Sequence, residues 1–172
     1  MSNTMILITT SLFAAVRMAV PLTYAGIGES VAQTSGVLNI GVEGMMLSGA
    51  FFSFLVTSYT GSILIGVLAG MLAGMLFGVL HAYISVTAKQ NQTISGLAIN
   101  FLVLGLTSFL FLVFFGDATS LPSVETLPVI PLPLLSKIPV IGPAFFSHDI
   151  LTYILYIVII SSTIYLKKTD YG

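Results

Sequence analysis

The residues of this chain that could do chemistry gather in one short run, SGVLNIGVEGMML, at positions 35–47. It places a carboxylate, Glu43, a carboxamide, Asn39, and three glycines inside sequence that is otherwise apolar. An ionisable group is costly in lipid, so it marks a transport pathway or a polar junction between helices. Glycines at this spacing indicate that backbones approach closely or that a helix breaks. Glycine-broken polar segments of this kind are typical of transporters, which use them near the bilayer midplane.

Glu43 also has a purely structural interpretation. Asn39-Ile40-Gly41 reads as a helix start with Asn39 as its N-cap, and the helix dipole favours a carboxylate in the first turn. Glu43 would then stabilise a helix start within the membrane. The alternative, direct contact with a solute or with a moving interface, stays open.

Three more polar residues are candidates for a substrate path or a helix junction. Glu29 follows Ala25-Gly-Ile-Gly28, which predicts a helix break. Asn100 lies deep in a predicted helix, where a carboxamide could bind a polyol, a ribose or a base edge; the polar residues at 90–93 are expected to cap the start of that helix. Arg17 lies one turn before Pro21, so it could satisfy the carbonyl that proline frees, pair with Glu29 or Glu43, or snorkel to an interface.

The composition sets the class of protein. Hydrophobic residues make up 56% of the chain and charged residues only 6%, against about a quarter charged in soluble domains. The chain is therefore an integral membrane protein, and its net charge of -1 argues against a nucleic-acid partner. There are no cysteines, and the two histidines, His81 and His148, have no partner at metal-ligand spacing. We predict no metal, no cofactor and no enzymatic site.

Five apolar stretches are long enough to cross a bilayer. The fold class is thus all-α, a polytopic transmembrane bundle with a broken or re-entrant segment near 34–44. The predicted spans are roughly 5–26, 41–57, 62–86, 94–115 and 150–166.

Lysines near the span ends predict the orientation. Lys89 follows the third span, and Lys167 and Lys168 end the fifth, so five spans put these lysines on one side, which we assign to the cytoplasm. The loop at 116–148 then faces outward, although Lys137 within it counts against this. Six of the seven prolines lie in that loop, which is either a structured surface loop with a short interfacial helix or a plain connector.

Four glycines recur every fourth residue in the third span. On a helix they form one smooth stripe that lets helices pack backbone to backbone in lipid. A gating surface is the alternative function for the stripe. Its members are Gly66, Gly70, Gly74 and Gly78.

Several ordered motifs resemble the N-terminal half of ABC-importer permeases of the branched-chain and ribose-type superfamily. The similarity is greatest to the nucleoside group associated with basic-membrane-protein lipoproteins, to which simple-sugar permeases are related. One departure is that the acidic-basic pair common before the Ser-Gly of the motif is replaced by Gln33 and Thr34. The matching motifs are RMAVPL at 17–22, GE at 28–29, SGVLNIGVEGMMLSGAF at 35–51, NQTISGLAINFLVLGLTSFL at 91–110 and YLKKTDYG at 165–172.

The resemblance implies a single permease domain over residues 1–172, apparently a truncated N-terminal half. It implies a bacterial cytoplasmic membrane, a separate ABC ATPase that hydrolyses ATP, an extracytoplasmic solute-binding lipoprotein, a second permease subunit, and import of nucleosides or related sugars. The alternative function is a truncated, non-transporting membrane scaffold or a small channel.

Overall fold

The computed structural model describes residues 3–116, 122–133, 136 and 140–168, and helices dominate them. A π-helical turn at Tyr83–Thr87 continues α3, and the two short strands pair antiparallel with Ile130 opposite His148. The all-α prediction is confirmed. The elements are α1 Asn3–Thr34, α2 Val42–Thr60, α3 Ile63–Ala82, α4 Gln92–Phe115, β1 Ile130–Pro131, α5 Ile141–Phe146, β2 Ser147–His148 and α6 Ile150–Lys168.

Each predicted span falls on a long helix of the structure. Four of these helices, α1, α3 with its π-helical turn, α4 and α6, are long and apolar enough to cross a membrane by length and composition. The fifth, α2, has 19 residues and carries Glu43 in its first turn, and it is not among those four. The chain is therefore a multi-pass membrane protein, and α2 is the predicted span that is not among those four helices.

The predicted helix break at residues 25–28 is wrong. α1 runs through Gly26 and Gly28, and through Pro21, to Thr34. Neither glycine has a positive φ, whereas Gly36 does, at 78°. Backbone groups in lipid must be bonded within the segment, so a helix continues through isolated glycines until the chain finds other partners for them.

The chain divides into two compact units. One unit comprises Met1–Gly28 and Leu127–Gly172. Within it, the Tyr24 hydroxyl donates to the carbonyl oxygen of Leu151 at 2.8 Å, and the Phe13 ring stacks on His148 with centroids 4.6 Å apart. The proline-rich segment contributes α5 and both strands to this unit, and its residues 117–121, 134–135 and 137–139, including Lys137, lie outside the described residues.

The second unit, Glu29–Thr126, holds α2, α3 and α4. Gly61 takes a left-handed conformation after α2 and turns the chain back into α3. A Cβ on Gly66 would overlap Thr57, and one on Gly70 would lie 2.7 Å from the Gly49 carbonyl oxygen. At Gly74 and Gly78 the nearest atoms are 3.6 and 3.9 Å away. The two helices thus pack backbone to backbone beside the first half of α3 and loosen toward the π-helical turn.

Candidate functional site

Residues 35–41, here called the break segment, separate α1 from α2 without helical backbone bonds of their own. The end of α1 closes in a Schellman arrangement, in which Val37 N–H donates to Ala32 O at 3.2 Å and Gly36 N–H to Gln33 O at 2.9 Å. Gly36 supplies the positive φ that this closure requires. Several of the remaining backbone groups of the break segment bond side chains of other helices.

α4 supplies the largest share of those partners from a single face. Gln92, Gly96 and Asn100 are four residues apart, so they form one line along the helix. Gln92 Oε1 accepts from Leu38 N–H at 2.7 Å, and Gln92 Nε2 donates to the Gly36 carbonyl at 3.3 Å. A Cβ added to Gly96 would lie 2.8 Å from the Gly41 nitrogen. The break segment therefore lies directly against the α4 backbone.

Asn100 completes the line and caps α2 from across the helix interface. Its Oδ1 accepts from Gly44 N–H at 2.7 Å, and its Nδ2 donates to the Ile40 carbonyl at 3.0 Å. The first N–H groups of a helix have no partner within it, so Asn100 satisfies one of them. The carboxamide predicted to lie deep in α4 is a helix-junction residue in this structure.

The prediction that Asn39 is the N-cap of α2 is wrong. The N-cap residue is Gly41, and no side chain at that position caps the helix. Asn39 Oδ1 instead accepts from Gly41 N–H at 3.0 Å. Asparagine readily bonds its own backbone two residues ahead, which makes a turn before the helix and leaves the capping to Asn100.

α1 and α3 hold the break segment from other directions. Glu29 Oε1 accepts from Asn39 N–H at 3.1 Å and from Gln33 Nε2 at 2.9 Å. Glu29 Oε2 is buried and has no hydrogen-bond partner in the described part of the chain. His81, only 2% exposed, places Nε2 3.4 Å from the Leu38 carbonyl oxygen. Side chains of three helices thus bond the break segment, and we call this assembly the polar junction.

The contacts along α4 also give the extent of the polar junction along that helix. Gln92 is the first residue of α4 and Asn100 lies eight residues on, which is about 12 Å along the axis at 1.5 Å per residue. The break segment runs along α4 over this distance, in the direction from the N-terminus of α4 toward its C-terminus. The start of α2 therefore lies beside the third turn of α4 and not beside its first residue. Irregular backbone at membrane depth is tolerated where it is buried in protein or lines a water-filled cavity. Within the break segment only Gly41 is buried, residues 37, 39 and 40 are half-buried, and residues 35, 36 and 38 are exposed, so protein covers this backbone only in part.

Glu43 lies at the mouth of a small cavity beside the polar junction. The cavity has a volume of about 170 Å³, and its lining includes the Glu43 side chain with Leu47, Phe101 and Leu104. The side chain is exposed, and no hydrogen bond or ion pair joins its carboxylate to another described residue. Asn100, at the same cavity, already uses both ends of its carboxamide. Glu43 therefore has free acceptor atoms beside an apolar wall formed by exposed side chains.

A family model described as branched-chain amino acid transport system / permease component matches residues 11–172. The chain belongs to this permease family. A putative glucose ABC transporter permease protein, TsgC13, of Haloferax volcanii is 34% identical over 163 residues, covering 92% of this chain and 48% of the relative. The guanosine ABC transporter permease protein NupQ of Bacillus subtilis is 38% identical over 161 residues, covering 90% and 50%.

A third relative, the nucleoside ABC transporter permease protein NupC of Lactococcus lactis, is 32% identical over 159 residues, covering 88% of this chain and 50% of its own. The permease chain thus spans about half the length of the curated relatives it matches. No solved structure shows a significant match. The resemblance to nucleoside and sugar permeases read from the sequence motifs is confirmed at the level of the family.

Not every predicted site residue of the permease chain is brought to the polar junction. Glu29, Asn39 and Asn100 meet there, with Glu43 at its edge. Arg17 is exposed on α1 in the other compact unit, and its pairing with a carboxylate stays a prediction.

The sequence did not predict two residues of the polar junction, Gln92 and His81. Gln92 was grouped with the polar turn that caps α4, and its neighbour Asn91 does act as that cap, since its side chain accepts from Thr93 N–H and Ile94 N–H. The spacing of Gln92, Gly96 and Asn100 was a readable signal for a shared helix face. His81 left no such signal, because its nearest partner in the break segment is a backbone carbonyl.

Proposed function

We propose that the permease chain is part of the membrane-spanning subunit of an ATP-driven ABC importer for nucleosides or related simple sugars, and that it forms part of the solute path. Family membership and the names of the three relatives support the importer class. The observation that carries the proposal is the free carboxylate of Glu43 beside an apolar wall, at a backbone break about 12 Å along α4. An ionised group at that depth needs water, a solute or a protein partner, since lipid would make it costly.

In this proposal Glu43 contacts the solute, and the residues of the polar junction hold the backbone beside it. Glu43 accepts hydrogen bonds from solute hydroxyl or N–H groups, and the apolar wall contacts the solute's ring face. Glu29, Asn39 and Asn100 hold the break segment in place. Because side-chain hydrogen bonds rather than helical bonds hold this segment, it can exchange between two arrangements while α2 and α4 stay intact, as alternating access requires.

The permease itself performs no ATP hydrolysis in this proposal. A separate ABC ATPase subunit hydrolyses ATP, an extracytoplasmic lipoprotein delivers the solute, and a second permease subunit completes the path within the lipid bilayer. The membrane is the bacterial cytoplasmic membrane. Lys89 and the pair Lys167/Lys168 face the cytoplasm, which the excess of basic residues on cytoplasmic loops supports, and the loop at 116–148 lies outside.

The test is uptake of labelled guanosine, ribose and glucose by a permease of the relatives' length that contains this sequence, expressed with its ATPase and lipoprotein. We expect ATP-dependent uptake and a decrease of about 10- to 100-fold in kcat/KM for Glu43→Ala, the loss expected for a hydrogen bond to a charged group. Glu43→Gln keeps one acceptor and should fall between. Glu125→Gln removes an exposed carboxylate of the loop and serves as the matched control.

Two results would contradict this proposal. Normal uptake by Glu43→Ala at normal membrane levels would remove Glu43 from the path. Absence of uptake for every solute in the unaltered protein would favour the non-transporting scaffold or small channel.

A further inference from the structure

A single peptide group of the break segment, the one joining Leu38 to Asn39, is held on both edges by side chains of different helices. Its N–H donates to Glu29 Oε1 at 3.1 Å. Its carbonyl oxygen lies 3.4 Å from His81 Nε2. The His81 ring is almost fully buried, at 2% exposure, while Leu38 is 42% exposed, so the contact is partly buried. This peptide group is therefore clamped between α1 and α3.

The hydrogen-bond directions around His81 assign the ring hydrogen to Nε2. The Leu38 carbonyl can only accept, so Nε2 must donate to it. The same hydrogen is shared with Ser85. The Ser95 hydroxyl donates to Gln92 O at 3.0 Å, so the Ser85 hydroxyl donates to the Ser95 oxygen at 3.2 Å. The Ser85 oxygen lies 3.4 Å from Nε2 and shares the single Nε2–H with the Leu38 carbonyl.

The opposite ring atom fits this assignment. His81 Nδ1 is buried with no hydrogen-bond partner in the described part of the chain, and in this tautomer it carries a lone pair. A buried polar atom without a partner has a cost. The imidazole thus leaves one nitrogen unsatisfied while the other bonds the break segment and Ser85.

We infer that His81, as the Nε2–H tautomer, is a positioning residue that fixes the Leu38–Asn39 peptide group against Glu29, and through it the start of α2 and the carboxylate of Glu43. The inference rests on the proposed function for the role of Glu43, and adds the residue that sets its place. Only three residues lie between Asn39, which carries the N–H of the clamped peptide group, and Glu43, and a turn closed by Asn39 and Gly41 joins them. A displacement of the clamp therefore displaces the first turn of α2.

The test uses a reporter cysteine, because the chain has none of its own. Ile40 is half-buried, and its Cβ would lie 3.1 Å from a Cβ added to Gly96, so Ile40→Cys is protected from water while the break segment stays against α4. A water-soluble maleimide measures the labelling rate in native membranes. His81→Gln, His81→Asn and His81→Phe are each combined with the reporter.

The three variants separate hydrogen bonding from packing. The amide nitrogen of Gln can take the place of Nε2, that of Asn lies at the distance of Nδ1, and Phe keeps the ring without any donor. We expect a labelling rate close to that of the parent for His81→Gln, and a rate about tenfold higher for His81→Asn and His81→Phe, the change expected when a partly buried carbonyl loses its donor. Tyr59→Cys, exposed at the far end of α2, should label equally in every background.

Equal rates for His81→Phe and the parent would overturn the inference, since the ring would then act by packing alone. Faster labelling in His81→Gln and His81→Asn to the same extent would overturn it too. If His81→Phe fails to purify as a single species in detergent, the comparison between Gln and Asn decides. Labelling needs neither solute nor ATP, so this test fails or succeeds independently of the uptake experiment on Glu43.

Discussion

Gly96→Ala should destabilise the permease chain, whereas Gly105→Ala, nine residues later on the same helix, should not. A Cβ on Gly96 would lie 2.8 Å from the Gly41 nitrogen and 3.1 Å from the Ile40 carbonyl carbon. Both are backbone atoms of the break segment, which has to move to make room. A Cβ on Gly105 meets nothing within 4 Å.

The two substitutions should change the free energy of unfolding in opposite directions. Overpacking lowers the free energy of unfolding by about 1–3 kcal/mol. Replacing glycine by alanine within a helix raises it by about 0.5–1 kcal/mol. Gly96→Ala should therefore lose about 1 kcal/mol, within a range of about 0–2.5 kcal/mol, and Gly105→Ala should gain up to about 1 kcal/mol. For a chain of this size, about 1 kcal/mol moves the midpoint of thermal unfolding by about 2–4 °C.

The assay is thermal unfolding of the purified chain in one detergent, followed as loss of the monodisperse peak after heating. Gly96→Ala should unfold several degrees below the parent and Gly105→Ala at or above it. A Gly96→Ala variant as stable as Gly105→Ala would refute the close approach of the break segment to α4.

Two further predictions use the same thermal assay. Asn100→Ala leaves two backbone groups of the polar junction without a partner, at about 1–3 kcal/mol each, so it should be at least as destabilising as Gly96→Ala. Asn100→Asp keeps the acceptor but not the donor, so its unfolding midpoint should fall between those of Asn100→Ala and the parent. If Asn100→Ala leaves the unfolding midpoint unchanged, water replaces the carboxamide. Gly70→Ala should lower the unfolding midpoint, because its Cβ would lie 2.7 Å from the Gly49 carbonyl oxygen, whereas Gly74→Ala has 3.6 Å to the Met45 carbonyl oxygen and should be neutral or stabilising. Equal effects at the two glycines would contradict a packing that loosens along α3.

The fold was largely predictable because its signals are local. Long apolar runs located all five long helices, and glycine with polar residues located the break between α1 and α2. Glycine is a weaker signal for the end of a helix in a membrane-spanning segment than in a soluble protein. Gly26 and Gly28 would suggest a break in a soluble protein, but α1 continues through both, since in lipid an unbroken helix bonds its own backbone groups.

The candidate site was predictable in its residue types but not in its contacts. Glu29, Asn39 and Asn100 were identified as polar residues in apolar surroundings, and all three lie at the polar junction. Which backbone group each would bond could not be read, because the partners of α4 lie 54 to 60 residues away along the chain. The capping role was accordingly assigned to nearby Asn39 rather than to distant Asn100.

The most direct test of the solute path is the accessibility of position 43. Glu43→Cys would be introduced into a permease of the relatives' length with every other cysteine replaced, and labelled in membranes with a charged, water-soluble thiol reagent with and without guanosine or glucose. A position on the path should label readily, and the transported solute should slow the labelling. Labelling only by a lipid-soluble reagent, or a rate that no transported solute changes, would contradict the placement of Glu43 on the path.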